Sequence, residues 1–333
     1  MKTNLIDFEK KVFDIKDEPM PKGAWWWWFW LFFFNNPKNP EKPRQLMILW
    51  STKNEKEIDC NNLKIKLNHP IDRSKLDGAV AAWYFDGEKM HHNFLLEQCN
   101  IRISPKGLST SSTVPTSFSL NKTKNIIKIG KGIEFIAQTS NKHDFIKPTF
   151  NFNTFVGNKG YSTLRLNHLV LKGKVRGRPV KGSAYFQRIF VNAPLPSWYW
   201  GIFHFENGEV LTYFNPHLLR RSVKKDIKFF DGRRVHDFKD IFIKKSAEKM
   251  PNFRVFGENN KEKIEFNVKT YSHSSWTFNK KFFGLLPTKL VYNEYPAFIS
   301  EFKLLNKKSG EIIDIEKLGK SIGNAEHTTG LLI

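Results

Sequence analysis

The chain has 333 residues, a formal net charge of +22, and 40% hydrophobic and 15% aromatic residues. This length exceeds one ordinary β-domain and is sufficient for two, each with its own core, and the aromatic content excludes wholesale disorder. The positive charge is spread along the chain with one dense run, which is typical of a compositional bias, so we expect no nucleic-acid partner.

The sequence carries no recognisable signal for secretion or for a cofactor. Cys60 and Cys99 are too few for a disulfide framework, and the N-terminal residues lack the apolar segment of a signal peptide. We expect a cytoplasmic protein that contacts membranes only at its periphery. No phosphate-binding loop, dinucleotide fingerprint, catalytic serine elbow or metal-ligand spacing occurs, so we expect no cofactor and no metal.

In chain order, residues 1–20 mix charged and apolar side chains and allow either a short helix or a lead-in strand. Residues 24–34 are almost all Trp and Phe, which predicts a strand buried on both faces, paired in a hairpin with residues 45–51. Asp86-Gly87 predicts a tight turn. Further strands are predicted at residues 63–67, 78–85, 93–104 and 126–138.

The domain organisation follows from changes in composition. Residues 105–125 are rich in Ser, Thr and Lys, which predicts a mobile loop inside the first domain. We place the boundary near residue 165, before a new set of strands. The predicted organisation is a lead-in at residues 1–20, an N-terminal domain at 21–165 and a C-terminal domain at 166–333.

A meander of three strands is predicted between Lys181 and Asn215. Residues 183–191, 198–205 and 210–214 are β-branched and aromatic, and turn residues separate them. Alternate residues of a strand share a face, so Trp198, Trp200, Ile202 and His204 lie together on the middle strand. Both faces of that strand are apolar, and we expect one of them to line a barrel or a cleft.

The motifs of this meander resemble a known family. They are Gly182-x-Ala184-Tyr185-x-Gln187-Arg188, Trp198-x-Trp200-Gly201, Asn207-Gly208 and Tyr213-Phe214-Asn215, and the flanking Trp25–Trp28 and Asn324-Ala-Glu-His327 agree with them. The pattern is similar to that of the lipocalin-like family of carotenoid 1,2-hydratases, AttH-type proteins and, more distantly, tocopherol cyclases. The resemblance implies an all-β fold of two lipocalin-like antiparallel barrels or half-open sandwiches.

The resemblance also implies a chemistry. The family's hydratases use a carboxylic acid in an apolar cavity to protonate an isolated double bond without a cofactor, and aromatic faces stabilise the cation. The acidic positions of the family correspond to Gln187 and Asn215 here, and neither can donate a proton to an alkene. The family's acid therefore cannot be transferred residue by residue.

The strand pattern and the resemblance together indicate candidate site residues. We expect Gln187, Arg188, Trp198, Trp200, Tyr213 and Asn215 to bind a ligand, although core packing explains the two Trp equally well. A buried Arg188 needs a partner, either a structural carboxylate or the anion of a ligand. The candidate catalytic residues are Glu294, Glu326 and His204.

Two functions remain open from the sequence. The first is an enzyme that hydrates, cyclises or isomerises an isoprenoid or polyene lipid. The second is a non-catalytic carrier of such a lipid, and an acid inside the aromatic cavity separates the two. A basic segment from Arg220 to Lys245 holds ten Lys or Arg against four Asp, and we expect it to be an exposed loop or hairpin that touches anionic membranes.

Overall fold

The structure, a computed structural model, consists almost entirely of β-strands. It divides into two compact units, Met1–Pro194 and Leu195–Ile333, called here the first and second units. It describes residues 5–13, 20–61, 63–67, 75–121, 124–139, 145–146, 149–156, 159–218, 221–222, 224–282 and 285–332. Within these ranges no helix is long and apolar enough to cross a bilayer.

The first unit is a closed antiparallel barrel with one short helix. Its elements are α1 (Leu5–Phe13), β1 (Trp25–Phe34), β2 (Arg44–Lys53), β3 (Glu57–Cys60), β4 (Leu63–Lys66), β5 (Leu76–Phe85), β6 (Met90–Ser104), β7 (Gly107–Ser111), β8 (Thr116–Ser119), β9 (Lys124–Ile129), β10 (Ile133–Thr139), β11 (Thr149–Val156), β12 (Lys159–Val175) and β13 (Arg178–Asn192). The ring runs β10-β9-β8-β7-β6-β5-β2-β1-β13-β12 and closes by pairing β12 with β10. Strand β11 pairs with the free half of β12, and β3 pairs with β4 as a hairpin.

Strand β1 explains why the barrel closes around an aromatic core. Alternate residues Trp26, Trp28 and Trp30 and the two following even-numbered Phe point inward, where Phe186 and Phe118 pack against them. Helix α1 adds Phe8, Val12 and Phe13 to this core. The indole Nε1 of Trp28 donates to the Val12 carbonyl at 2.9 Å and so ties the helix to the strand.

The second unit is an antiparallel sheet around its own core. Its elements are β14 (Ser197–Phe205), β15 (Val210–Leu218), β16 (Arg221–Ser222), β17 (Asp226–Phe230), β18 (Val235–Phe238), β19 (Asp240–Lys245), β20 (Phe253–Glu258), β21 (Glu262–Thr270), β22 (Ser274–Phe282), β23 (Leu286–Asn306), β24 (Ile312–Asp314), α2 (Ile315–Leu318) and β25 (Ser321–Leu331). The main path is β18-β17-β15-β14-β25-β23-β21-β20-β19, with β16 on β15 and with β22 and β24 on β23. Strand β25, the last along the chain, therefore lies between β14 and β23.

The predicted all-β class, with two lipocalin-like units, is confirmed. The Trp/Phe strand and its hairpin partner are also confirmed as β1 and β2. Asp86-Gly87 forms the turn between β5 and β6, with Gly87 at φ +104°. The helix that the N-terminal pattern left open is α1.

Three predictions differ from the structure. The units divide between Pro194 and Leu195 rather than near residue 165, because β12 and β13 are needed to close the first barrel. The predicted meander is therefore split, since β13 pairs with β1 and β12, and β14 begins the second unit. The predicted loop at residues 105–125 contains β7 and β8, whose Leu108 and Phe118 are buried in the core.

Candidate active site

One face of the second unit carries the candidate site, on the adjacent strands β14, β25, β23 and β22. Trp200, Glu326, Glu294 and Ser274 lie opposite one another across these four strands. Directly opposed residues of an antiparallel pair share a face, so the four side chains form one row. Neighbouring rows of the same face contain Ile202, Asn324 and Pro296 on one side, and Thr328, Tyr292 and Trp276 on the other.

Glu326 is a buried acid held by two donors. The indole Nε1 of Trp198 donates to its Oε2 at 3.0 Å, and the hydroxyl of Tyr292 donates to its Oε1 at 2.6 Å. Glu326 is 4% exposed. Burial raises the pKa of this carboxyl to about 7, although the two hydrogen bonds act in the opposite direction. Near neutral pH the acid is thus divided between its protonated and ionised forms.

Glu294 forms a carboxyl pair with Glu326 and shares the same phenol. Both carboxyl groups hydrogen-bond Tyr292, and loss of solvation together with these two groups raises the pKa of the phenol well above its usual value. A phenol has one proton, so it cannot donate to two carboxylates at once. Because this proton is donated to Glu326, a second hydrogen bond at the phenol oxygen requires a proton on Glu294.

Aromatic rings flank the acid. The Tyr292 ring lies 5.8 Å from the Trp198 ring and 6.1 Å from the Trp276 ring, measured between centroids. Trp200 is buried directly opposite Glu326 on β14. The face therefore combines a protonatable carboxyl pair with aromatic surfaces that attract a cation.

The structure brings together only some of the predicted catalytic residues. Glu294 and Glu326 are adjacent, but His204 is opposite Ile322, four residues along β25 from Glu326. That spacing corresponds to roughly 13 Å along the strand. His204 is buried on this face but lies outside the carboxyl pair.

The predicted ligand-binding residues also separate. Trp198 and Trp200 lie on the face of Glu326, whereas Tyr213 and Asn215 lie on the opposite face, where Tyr213 packs in the core of the second unit. Gly201 provides the space for that ring, because a Cβ at Gly201 would lie 2.5 Å from Cε1 of Tyr213. The meander pattern groups the Trp pair with Tyr213 and Asn215 because alternation within each strand does not tell which face of that strand packs against the core.

Gln187 and Arg188 belong to β13 of the first unit and point to opposite faces of that strand. Gln187 is opposite Phe29 and accepts a hydrogen bond from the Tyr185 hydroxyl at 2.9 Å. Arg188 is 2% exposed and its guanidinium carbon lies 4.0 Å from the centroid of the Trp26 ring. Arg188 therefore contacts the aromatic core of the first unit.

The residues of this face that sequence reasoning missed include Tyr292, Asn324, Ser274 and Trp276. Strand alternation could have found Tyr292 and Asn324, because each lies two residues before a predicted acid. Ser274 and Trp276 lie on β22, which was not predicted. In the part of the chain that the structure describes, no group of three or more His, Cys, Asp or Glu could hold a metal ion.

Comparison with known proteins gives structural but not sequence matches. No family model and no curated protein sequence matches the chain. A protein from Nitrosomonas europaea assigned as an AttH superposes with a TM-score of 0.51 at 12% identity, covering 92% of each chain. CghA superposes with a TM-score of 0.52 at 8% identity, covering 94% of this chain and 90% of its own. CghA with Sch210972 gives a TM-score of 0.50 at 7% identity, with coverages of 94% and 89%. The chain has the AttH-type fold.

Within this AttH-type fold, the acids lie elsewhere than the resemblance implied. The resemblance implied acids at the positions of Gln187 and Asn215, whereas the buried carboxyl pair lies on β23 and β25. The motif Asn324-Ala-Glu-His327, which contributed to the resemblance, supplies Glu326.

The basic segment from Arg220 to Lys245 contains β16, β17, β18 and β19, and its residues Arg220 and Val223 lie outside the described residues. Much of its charge is paired: Lys239 lies 2.9 Å from Asp237, and Lys225 lies 3.6 Å from Asp240. The segment is therefore a set of short strands with local ion pairs.

Proposed function

We propose that this chain is a cofactor-independent acid catalyst that acts on a double bond of a hydrophobic isoprenoid or polyene lipid, with Glu326 as the proton donor. One observation carries the proposal: a buried carboxyl group with a pKa of about 7 lies among aromatic rings. A general acid is most effective when its pKa is near the working pH. An ordinary surface glutamate, with a pKa near 4.5, would be almost wholly ionised there.

The proposed first step transfers the proton from Glu326 to one carbon of the double bond. The π electrons form the new C–H bond, the O–H bond breaks, and Glu326 becomes a carboxylate beside a carbocation. Hydration follows when water adds its oxygen to the cation and returns a proton to a carboxylate. Isomerisation follows when the cation instead loses a proton from a neighbouring carbon to that carboxylate. Cyclisation follows when the π electrons of a second double bond of the substrate first attack the cation and form the C–C bond of the ring, and the new cation then loses a proton to the carboxylate.

The surrounding residues would stabilise the cation and restore the acid. Trp198, Tyr292 and Trp276 present π faces, and a desolvated cation gains about 2 kcal/mol from such a face. Glu294 places a second carboxyl group at the same phenol. A proton arriving at Glu294 can reach Glu326 through the hydroxyl of Tyr292, because that hydroxyl can accept from one carboxyl and donate to the other.

The proposal is tested by isotope incorporation. Purified protein is incubated in D2O with lycopene, geranylgeraniol and an isoprenoid quinone, and products are analysed by mass spectrometry. We expect one deuterium per turnover at carbon, and a rate that falls as pH rises through about 7 because the protonated acid disappears. Glu326→Gln should abolish incorporation while Glu265→Gln, on the exposed surface, should not. Incorporation that survives in Glu326→Gln would exclude Glu326 as the donor.

A second candidate function is non-catalytic carriage of the same class of lipid. The observation that favours it is the replacement of the family's acids by Gln187 and Asn215. Tight binding without deuterium incorporation, equal in wild type and Glu326→Gln, would support the carrier and contradict the enzyme.

We also propose that residues 221–245 touch anionic membranes at their periphery. Lys and Arg still exceed Asp in this segment, and each basic residue near an anionic surface contributes about 1 kcal/mol. Flotation with anionic and neutral liposomes tests this. Binding that is equal for both, or unchanged at high salt, would contradict it.

A further inference from the structure

Three buried side chains beside the carboxyl pair carry hydrogen-bonding atoms with no protein partner among the residues that the structure describes. They are both amide atoms of Asn324, the hydroxyl of Ser274 and the indole Nε1 of Trp276. These residues are 0%, 1% and 2% exposed. Such groups are uncommon in folded proteins, in which the large majority of buried polar atoms are paired.

Asn324 is the most informative of the three. It lies two residues before Glu326 on the same face of β25, and this spacing corresponds to about 7 Å along a strand. Its neighbours across the sheet are Ile202 and Pro296, and neither side chain can form a hydrogen bond with it. An amide at this position offers both a donor and an acceptor to whatever covers the face.

Ser274 and Trp276 extend the same pattern to the next strand. Ser274 is opposite Glu294, and Trp276 is opposite Tyr292. Polar atoms that lack a protein partner therefore lie on two sides of the carboxyl pair. These atoms are already shielded from solvent, so a bound hydrocarbon would leave them unpaired, whereas an oxygen that reached them would supply the missing hydrogen bonds.

We infer that Asn324, together with Ser274 and Trp276, recognises a hydroxyl or carbonyl oxygen of the substrate, which is accordingly an oxygen-bearing apolar molecule. This inference rests on the proposed function insofar as it takes the face of Glu326 as the active site. The oxygen would bind beside the double bond that Glu326 protonates, and it would fix which carbon faces the acid. Asn324 would thus determine specificity.

The test compares matched ligands. Geraniol, farnesol and geranylgeraniol are each paired with the hydrocarbon of the same skeleton, and binding is followed by tryptophan fluorescence. We expect the alcohols to bind about tenfold more tightly, equivalent to about 1.4 kcal/mol. Asn324→Leu keeps the number and branching of the side-chain heavy atoms and should remove this preference. It should also raise the melting temperature, because it removes buried atoms that lack a protein partner.

Asn125→Leu is the matched control. Asn125 is also buried, but its Nδ2 donates to the Ala137 carbonyl at 3.0 Å. The control should lower the melting temperature and leave the preference for alcohols intact. The inference is wrong if no alcohol binds better than its hydrocarbon, if Asn324→Leu keeps the preference, or if Asn324→Leu destabilises the protein as the control does.

The outcome separates recognition from catalysis. A preference that depends on Asn324 without deuterium incorporation from D2O would retain the recognition and overturn the acid catalysis. Equal deuterium incorporation into alcohols and hydrocarbons would retain the catalysis and overturn the recognition.

Discussion

Replacement of Glu326 by Gln should make the protein more stable at alkaline pH while removing its proposed activity. Gln is neutral and similar in shape, so it keeps an oxygen for the Trp198 indole, and its amide can donate to the Tyr292 oxygen. The wild-type carboxyl must ionise in a buried place as pH rises. The variant is spared this cost.

The magnitude follows from the pKa of Glu326. The pKa of about 7 in the folded chain exceeds the ordinary value of 4.5. A difference of one pKa unit between the folded and unfolded chain corresponds to about 1.4 kcal/mol of stability. Between these values the folded chain holds a proton that the unfolded chain has released, so wild-type stability falls as pH rises from about 4.5 to about 7. The total loss is about 3 kcal/mol.

Urea unfolding at pH 4.5, 6 and 8 measures the effect as a difference between variant and wild type, because titrating groups that do not interact with Glu326 cancel. The difference in free energy of unfolding, Glu326→Gln minus wild type, should increase by about 3 kcal/mol from pH 4.5 to pH 8. Glu265→Gln, which removes an exposed partner of Arg254, should change stability by under about 1 kcal/mol with no such trend. A difference for Glu326→Gln that stays constant with pH would refute the raised pKa and, with it, the basis of the proposed catalysis.

Three other substitutions test separate parts of the structure. Tyr292→Phe removes a hydrogen bond that lowers the pKa of Glu326, so the alkaline limb of the pH–rate profile should move to higher pH; an unchanged limb would contradict the contact. Gly201→Ala forces a Cβ against the ring of Tyr213 and should destabilise the second unit by about 1 to 3 kcal/mol in urea unfolding, whereas wild-type stability would show that the ring moves freely. Arg188→Met removes the cation over the Trp26 ring and should lower stability by about 2 kcal/mol; weakened ligand binding at unchanged stability would instead favour the ligand-binding role predicted from the sequence.

The fold could be predicted from local signals because they are strong in this chain. The run of Trp and Phe in β1 and the turn at Asp86-Gly87 each specify one local structure. The division between the units could not be predicted in the same way. The segment Asn192–Pro196 has the composition of a turn, yet Leu195 pairs with Leu332 and not with β13, and only the long-range pairing shows this.

The acids of the candidate site could be predicted from the sequence, but their adjacency could not. Glu294 and Glu326 were identified as acids in strand-like surroundings, but their adjacency depends on the register of β23 against β25. A shift of one residue would turn one of the two carboxyls to the opposite face. Tyr213 and Trp198 were predicted to lie together, but they point to opposite sides of the sheet although their strands are neighbours.

The hydrogen bond between Trp198 and Glu326 joins residues 128 positions apart. It connects the first strand of the second unit with the last, and β25 is paired on both edges only when β14 and β23 both lie beside it. Contacts of such long sequence separation form late, because the entropy of closing the loop must be overcome first. A partly folded second unit would therefore hold Glu326 in water with an ordinary pKa. The proposed acid would come into existence only with the complete sheet, so a refolding assay that follows the Trp198 indole should detect the recovery of folding and of function in a single phase.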